Sequence, residues 1–173
     1  MNQLSKIFFY SLILIAVSIV FITLKEGLKS NTLPDDGVSL DGKRLDMENL
    51  YDVTTGQKVE LKSLTLVHVY LSRCHACHED HRLLATYKGR SCLSFIGLKW
   101  QDDNRLLDAK TAHLIESAYN AKWDAKETHT FVKLGMKTSP IALLVDDSGT
   151  IVMHHRNRLT QEILSQFMQY CDK

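Results

Sequence analysis

The 173-residue sequence predicts an α/β domain with elements in the order βαβαββα, behind an extra N-terminal β-hairpin and one transmembrane helix. Three observations carry that expectation. Residues 7–24 contain no charge, two β-branched and aromatic runs bracket a stretch of helical periodicity, and two later strand-like runs meet at Asp147-Ser148-Gly149 before an amphipathic end. With 45% hydrophobic and 24% charged residues, the composition is that of a globular protein and excludes a disordered or collagen-like chain. A formal charge of +1 provides no basic excess for a phosphate backbone, so nucleic acid is not an expected partner.

The first element is Ile7 to Leu24, eighteen residues bracketed by Lys6 and by Lys25, Glu26 and Lys29. As a helix it would span roughly 27 Å, close to the hydrocarbon thickness of a bilayer. No small-x-small cleavage pattern follows it in Leu24 to Ser30, so residues 1–30 are expected to be an uncleaved membrane anchor rather than a removed signal peptide. Residues 31–45, with Pro34, Asp35, Asp36, Gly37 and Gly42, are expected to be a polar tether, and 46–173 the folded domain. The anchor removes three Lys and one Glu from 21 basic and 20 acidic side chains, leaving a nearly neutral remainder.

Within the domain, Leu50–Val53 and Val59–Leu61 flank a turn at Thr55-Gly56 and predict the hairpin. Leu66–Leu71 predicts a buried strand. From Cys74 to Tyr87, Ala76, Leu83, Leu84 and Tyr87 share one helical face, and Gly89 is placed to end the helix. Leu93–Trp100 predicts the parallel partner strand, joined by a right-handed crossover. Asp102, Asp103 or Asn104 is expected to cap a helix from Leu106 to Tyr119 with Leu107, Leu114, Ile115 and Ala118 inward; residues 121–137 carry no clear pattern. Ile141–Val145 and Thr150–His154 predict a strand pair. Thr160 is expected to cap the last helix, whose apolar face is Ile163, Leu164, Phe167, Met168 and Cys171.

Cys74 and Cys77 fall in the first turn of a helix that follows a buried strand. Free N–H groups and the positive end of the helix dipole favour a thiolate there, which makes Cys74 the expected nucleophile. The C-x-x-C spacing lets Cys77 resolve a mixed disulfide, so the pair can exchange two electrons with a substrate disulfide. His75, between the cysteines, and Arg73, just before them, are candidates for tuning the site by positive charge.

Cys74-His75-Ala76-Cys77 at a strand-helix junction, with Thr138-Ser139-Pro140 ahead of a strand pair, resembles the thioredoxin fold. Residues 95–103 (FIGLKWQDD), Leu134-Gly135-Met136, Pro140, Leu144-Val145-Asp146, Gly149 and Ile151 resemble the membrane-anchored thioredoxin-like proteins of cytochrome c biogenesis, the DsbE/CcmG group. The resemblance covers roughly Asp46 to Gln166. It implies that Pro140 is cis and that Ser139 and Pro140 align the substrate chain. It also implies a single-pass protein of a bacterial inner membrane, with its soluble domain in the periplasm. The implied activity is reduction of apocytochrome c disulfides, with electrons from a membrane thiol reductase and no cofactor. Two residues depart from the group: Arg73 stands where a Trp is usual, and Ile141 stands where a Glu usually follows the proline.

Other readings accompany this one. The same chemistry could oxidise or isomerise disulfides of other periplasmic proteins. Cys74-His75-Ala76-Cys77-His78 is also a C-x-x-C-H sequence, the haem-attachment motif of c-type cytochromes. His75, His78 and His81 crowd the cysteines as a metal set would, although Glu79, Asp80 and Arg82 suggest that this face is solvated. Cys92 and Cys171 are expected to be buried structural thiols, with a disulfide between them as the alternative.

Overall fold

Thr65–Tyr70 forms β2, and all six of its residues are buried, as its β-branched and aromatic content requires. In the computed structural model, which describes residues 39–61, 63–71, 74–100, 108–125, 134–136 and 139–172, β2 is a central strand. It pairs in parallel with β3, Ser94–Lys99, and antiparallel with β5, Ile141–Val145. Beyond β5 lies β6, Ile151–Arg156, and beyond β3 lie β4, Ala121–Ala125, and β1, Leu50–Asp52. The sheet order is β1-β4-β3-β2-β5-β6.

Three α-helices occur among the described residues: α1, His75–Tyr87, α2, Ala109–Ala118, and α3, Gln161–Met168. The steps from β2 to β3 and from β3 to β4 run in one direction across the sheet, so right-handed crossovers put α1 and α2 on the same face. The core shows this division. Leu84, Ile115, Ala118, Leu164 and Phe167 from the helices meet Leu66, Tyr70, Phe95, Ala142 and Leu144 from the strands. Val67, Val69, Ile96, Leu98, Leu143 and Val145 point to the other face, where Leu40, Leu45, Leu50, Trp123, Leu134 and Met136 cover them.

The expected order of elements is present, with several differences in detail. β4 is an additional strand in the stretch without clear pattern; its five residues, AKWDA, have too little β-branched content to stand out, and pairing with β3 and β1 holds them extended. The expected N-terminal hairpin is reduced to one strand and a turn. Asp52 accepts from the N–H groups of Thr54 and Thr55 at 2.8 Å, but the returning arm makes only a Tyr51–Lys58 bridge, and β1 finds its main partner in β4. Leu40 and Leu45, in the stretch expected to be a tether, are buried; Gly42 donates to Ile151 O and Leu45 to Gly149 O, each at 2.8 Å. Asp108, not Asp102, Asp103 or Asn104, caps α2 through Thr111 N–H. Thr160 caps α3 as expected, accepting from Ile163 N–H at 3.2 Å.

Cys92 and Cys171 correct the expectation of two buried thiols. They form a disulfide with a Cα–Cα distance of 6.2 Å, Cys92 is exposed, and the bond ties the start of β3 to the 3-10 turn Gln169–Asp172 after α3. The expected anchor, Ile7 to Leu24, lies outside the described residues. Among the described residues, no helix is long and apolar enough to cross a membrane.

Candidate active site

β2 ends beneath α1, and Cys74 caps that helix. Its extended backbone leaves Sγ facing the helix entrance, where it accepts from Cys77 N–H at 3.1 Å. The first turn of α1 contains no acidic side chain, so nothing opposes the dipole and N–H groups that favour a thiolate at Cys74. Cys74 and Cys77 are joined by a disulfide across a Cα–Cα distance of 5.1 Å. Cys74 is half-buried and Cys77 completely buried, so the two sulfurs differ in access.

The Ser139–Pro140 peptide bond is cis. It brings Ser139 Oγ within 3.6 Å of Cys77 Sγ and within 3.4 Å of Val69 O, while buried Pro140 leads directly into β5. Cys74, Cys77, Ser139 and Pro140 are thus gathered in one place from positions far apart in the chain. His75 is exposed, with its ring 6.1 Å from that of His78, and it makes no hydrogen bond to either cysteine. Arg73 lies outside the described residues. Ile141 is completely buried and paired with Val69 and Arg156, which explains why an apolar side chain stands there.

The face of α1 that packs inward differs from the sequence expectation. Leu84 is buried, but Ala76, Leu83 and Tyr87 are only partly so; the fully inward positions are Cys77, Asp80, His81 and Leu84, at i, i+3, i+4 and i+7. Asp80 and His81, taken from sequence as part of a solvated face, are 0% and 1% exposed.

They are held in a polar cluster. His68, from the middle of β2, contacts Asp80 Oδ2 through Nε2 at 3.0 Å and Tyr119 Oη through Nδ1 at 2.6 Å. Tyr119 Oη also contacts His81 Nδ1 at 2.7 Å, and Asp80 Oδ1 accepts from Leu159 N–H at 2.9 Å. Burial, aided by the charges of His68 and His78, lowers the pKa of His81 from 6.5 to about 3. Burial raises Tyr119 well above the usual tyrosine range, with Tyr70 and Asp80 adding to the effect.

Gly97 makes room for this cluster. It lies beside His68 in the β2–β3 register, and a Cβ there would meet the Tyr119 ring at 2.5 Å. Two signals in the sequence pointed to these residues: a histidine inside the apolar run LVHVYL, and Asp80-His81 one turn after Cys77. Among the described residues, no group of three or more His, Cys, Asp or Glu side chains is arranged to hold a metal ion.

A thioredoxin-like α/β fold carrying a C-x-x-C disulfide at a helix N-terminus beside a cis-proline is the class of site this chain presents. Solved structures agree on the fold. A thio-disulfide isomerase from Thermus thermophilus superposes with a TM-score of 0.58 at 16% identity, covering 75% of this chain and 95% of that one. The thioredoxin domain of a thiol-disulfide oxidoreductase from Bacteroides vulgatus gives 0.57 at 17% identity, over 75% and 96%. Among curated proteins, the thiol:disulfide interchange protein DsbE of Xylella fastidiosa strain 9a5c is 29% identical over 100 residues, covering 57% of this chain and 50% of the relative. The chain therefore spans about half the length of the curated relatives it matches. No protein-family profile matches it.

Proposed function

We propose that this chain is a membrane-tethered, extracytoplasmic thiol-disulfide oxidoreductase that reduces disulfides of apocytochrome c during cytochrome c maturation. The observation that carries the chemistry is the Cys74–Cys77 disulfide at the entrance of α1, with a half-buried first sulfur and a buried second one against Ser139. The similarity to DsbE supports a role in disulfide interchange. The uncharged run at residues 7–24 supports the tether, and a bacterial inner membrane with the domain in the periplasm is the setting in which protein disulfides persist.

In the reduced protein, the Cys74 thiolate attacks one sulfur of a substrate disulfide. A Cys74–substrate disulfide forms and the other substrate sulfur leaves as a thiolate. Cys77 then loses its proton and attacks Cys74 Sγ, closing the Cys74–Cys77 bond and releasing the second substrate thiol. Two electrons pass to the substrate, and a membrane thiol reductase restores them. Ser139 and Pro140 align the substrate strand, and Leu71, a large apolar side chain exposed three residues before Cys74, offers it a contact. Exposed His75, between the two cysteines, and Arg73, the residue before them in sequence, are the proposed tuning residues.

A second reading, general oxidation or isomerisation of periplasmic disulfides, is favoured by one observation: buried Ile141 replaces the carboxylate usual after the proline in the cytochrome group. A Cys77→Ser trap in cells separates the two. Mixed disulfides between Cys74 and apocytochromes are expected, and capture only of unrelated secreted proteins would overturn the narrower reading.

A further inference from the structure

The three histidines that crowd the cysteines divide into two kinds. His81 is turned inward and contacts Tyr119 Oη through Nδ1, and the Asp80 oxygens are taken by His68 and by Leu159 N–H, so both side chains are engaged away from the sulfurs. Glu79 is paired with Arg82 and Arg158. His75 and His78 are differently placed. His75 is exposed and makes no hydrogen bond to either cysteine, and His78 has a buried Nε2 with no hydrogen-bond partner among the described residues. A buried imidazole nitrogen without a partner is destabilising, and a ligand at that nitrogen offsets the loss.

Position gathers four of these groups at the helix entrance. Cys74 caps α1, and His75, Cys77 and His78 belong to its first turn. At about 100° per residue, His78 projects between Cys77 and His75, on the side of Cys74. Two imidazoles on one tetrahedral zinc have ring centres about 5 Å apart, and two thiolates have sulfurs about 3.8 Å apart, from Zn–N and Zn–S bonds of about 2.1 and 2.3 Å. The rings of His75 and His78 are 6.1 Å apart, and the Cα atoms of Cys74 and Cys77 5.1 Å apart. Rotation of the exposed His75 ring brings the imidazoles to the shorter spacing. Side-chain rotation parts the two sulfurs once their bond is open, in a C-x-x-C spacing that zinc sites share.

We propose that the reduced chain holds one zinc ion through Cys74, Cys77 and His78 Nε2, with His75 as the fourth ligand. Two thiolates and two imidazoles form the tetrahedral set that favours zinc over harder cations. In the oxidised chain each sulfur is bonded to the other, and the described residues hold no three-ligand set. On binding, the two thiols release their protons to solvent and each sulfur bonds to the metal, with no change in oxidation state. A sulfur bound to zinc is withheld from attack on a substrate disulfide, so the ion keeps the pair reduced and inactive. Closing the Cys74–Cys77 bond removes both thiolates and expels the ion. The inference requires only that this bond opens, whichever disulfide the chain reduces.

The probe is zinc(II), titrated anaerobically against a chromophoric chelator with the full chain in detergent. The reduced chain should take up one ion with an affinity that the oxidised chain lacks. Cobalt(II) in its place should give the intense visible bands of a tetrahedral site and a thiolate-to-metal transition in the near ultraviolet. His78→Ala should weaken zinc binding at least about tenfold, since losing a ligand costs no less than losing the group that supports one. Saturating zinc should slow reduction of a chromogenic aromatic disulfide at least about tenfold, and a chelator should restore the rate. Equal uptake by both redox forms, an octahedral cobalt spectrum, or unchanged affinity in a folded His78→Ala chain would overturn the proposal. If that variant does not fold, the cobalt spectrum of the unaltered chain decides. Zinc uptake by a reduced chain that exchanges with no protein disulfide would support the site and remove the proposed function.

Discussion

The molecule places the same covalent bond in two unlike settings. Cys74 and Cys77 are three residues apart, at the entrance of a helix, with one sulfur partly accessible and a cis-proline beside them. Cys92 and Cys171 are 79 residues apart and join the start of β3 to the chain's last turn. On a chain-entropy account, closing the short loop stabilises the fold by about 2 kcal/mol and closing the long one by about 4 kcal/mol. A bond that must open and close in each catalytic cycle belongs where its loss costs little; a bond that closes a long loop belongs where it is not exchanged. Loop length and helix position therefore divide one chemistry into a proposed working pair and a structural tie.

The largest expected effect breaks that division at its working end. Cys74→Ser should lower reduction of a protein disulfide at least about a thousandfold, because the thiol left at the helix entrance, Cys77, is completely buried and out of reach of a substrate disulfide. Insulin turnover with a thiol donor measures this, and substantial residual activity would move the chemistry elsewhere. At the structural end, replacing Cys92 and Cys171 together by Ser should cost about 4 kcal/mol in denaturant unfolding while leaving the rate of exchange at Cys74 within about twofold. A double variant that lost exchange but kept its stability would reverse the two assignments.

Acid tests the region around the working pair. With a folded value of about 3 against 6.5, His81 binds fewer protons in the folded chain than in the unfolded one between those limits. Its contribution to stability is therefore complete above about pH 6.5 and falls as the pH drops toward 3, by a few kcal/mol in all. Denaturation midpoints across this range should show the decline, and His81→Asn should flatten it. A smaller change sharpens the comparison from the sheet. Gly97→Ala drives a methyl into the Tyr119 ring and should cost about 1–3 kcal/mol, with the Cys92–Cys171 bond intact. A neutral Gly97→Ala would show that the ring moves freely and that the cluster is less fixed than its contacts indicate.

Much of this architecture was legible because it is local. The six buried residues of β2, the Thr160 cap, the turn at residues 147–149 and the start of α1 next to Cys74 all follow from periodicity and side-chain chemistry over a few residues. What remained hidden depends on contacts between distant segments. β4 is a strand because β3 and β1 pair with it, and the inward face of α1 lies toward Asp80 and His81 because His68 and Tyr119 wait on the sheet side to satisfy them. An Asp-His pair on a helix otherwise indicates a face turned to water.

The sequence by itself determined the order of strands and helices, the C-x-x-C pair at a helix entrance and an uncharged segment of membrane-spanning length. Those features are set by the chemistry of neighbouring residues. Only the tertiary structure decided that Cys92 and Cys171 bond, that Ser139 lies beside Cys77, and that four ionisable side chains share a buried cluster under α1. Each of these depends on which distant segments the sheet brings together, and burial then decides whether a polar group faces water or a partner.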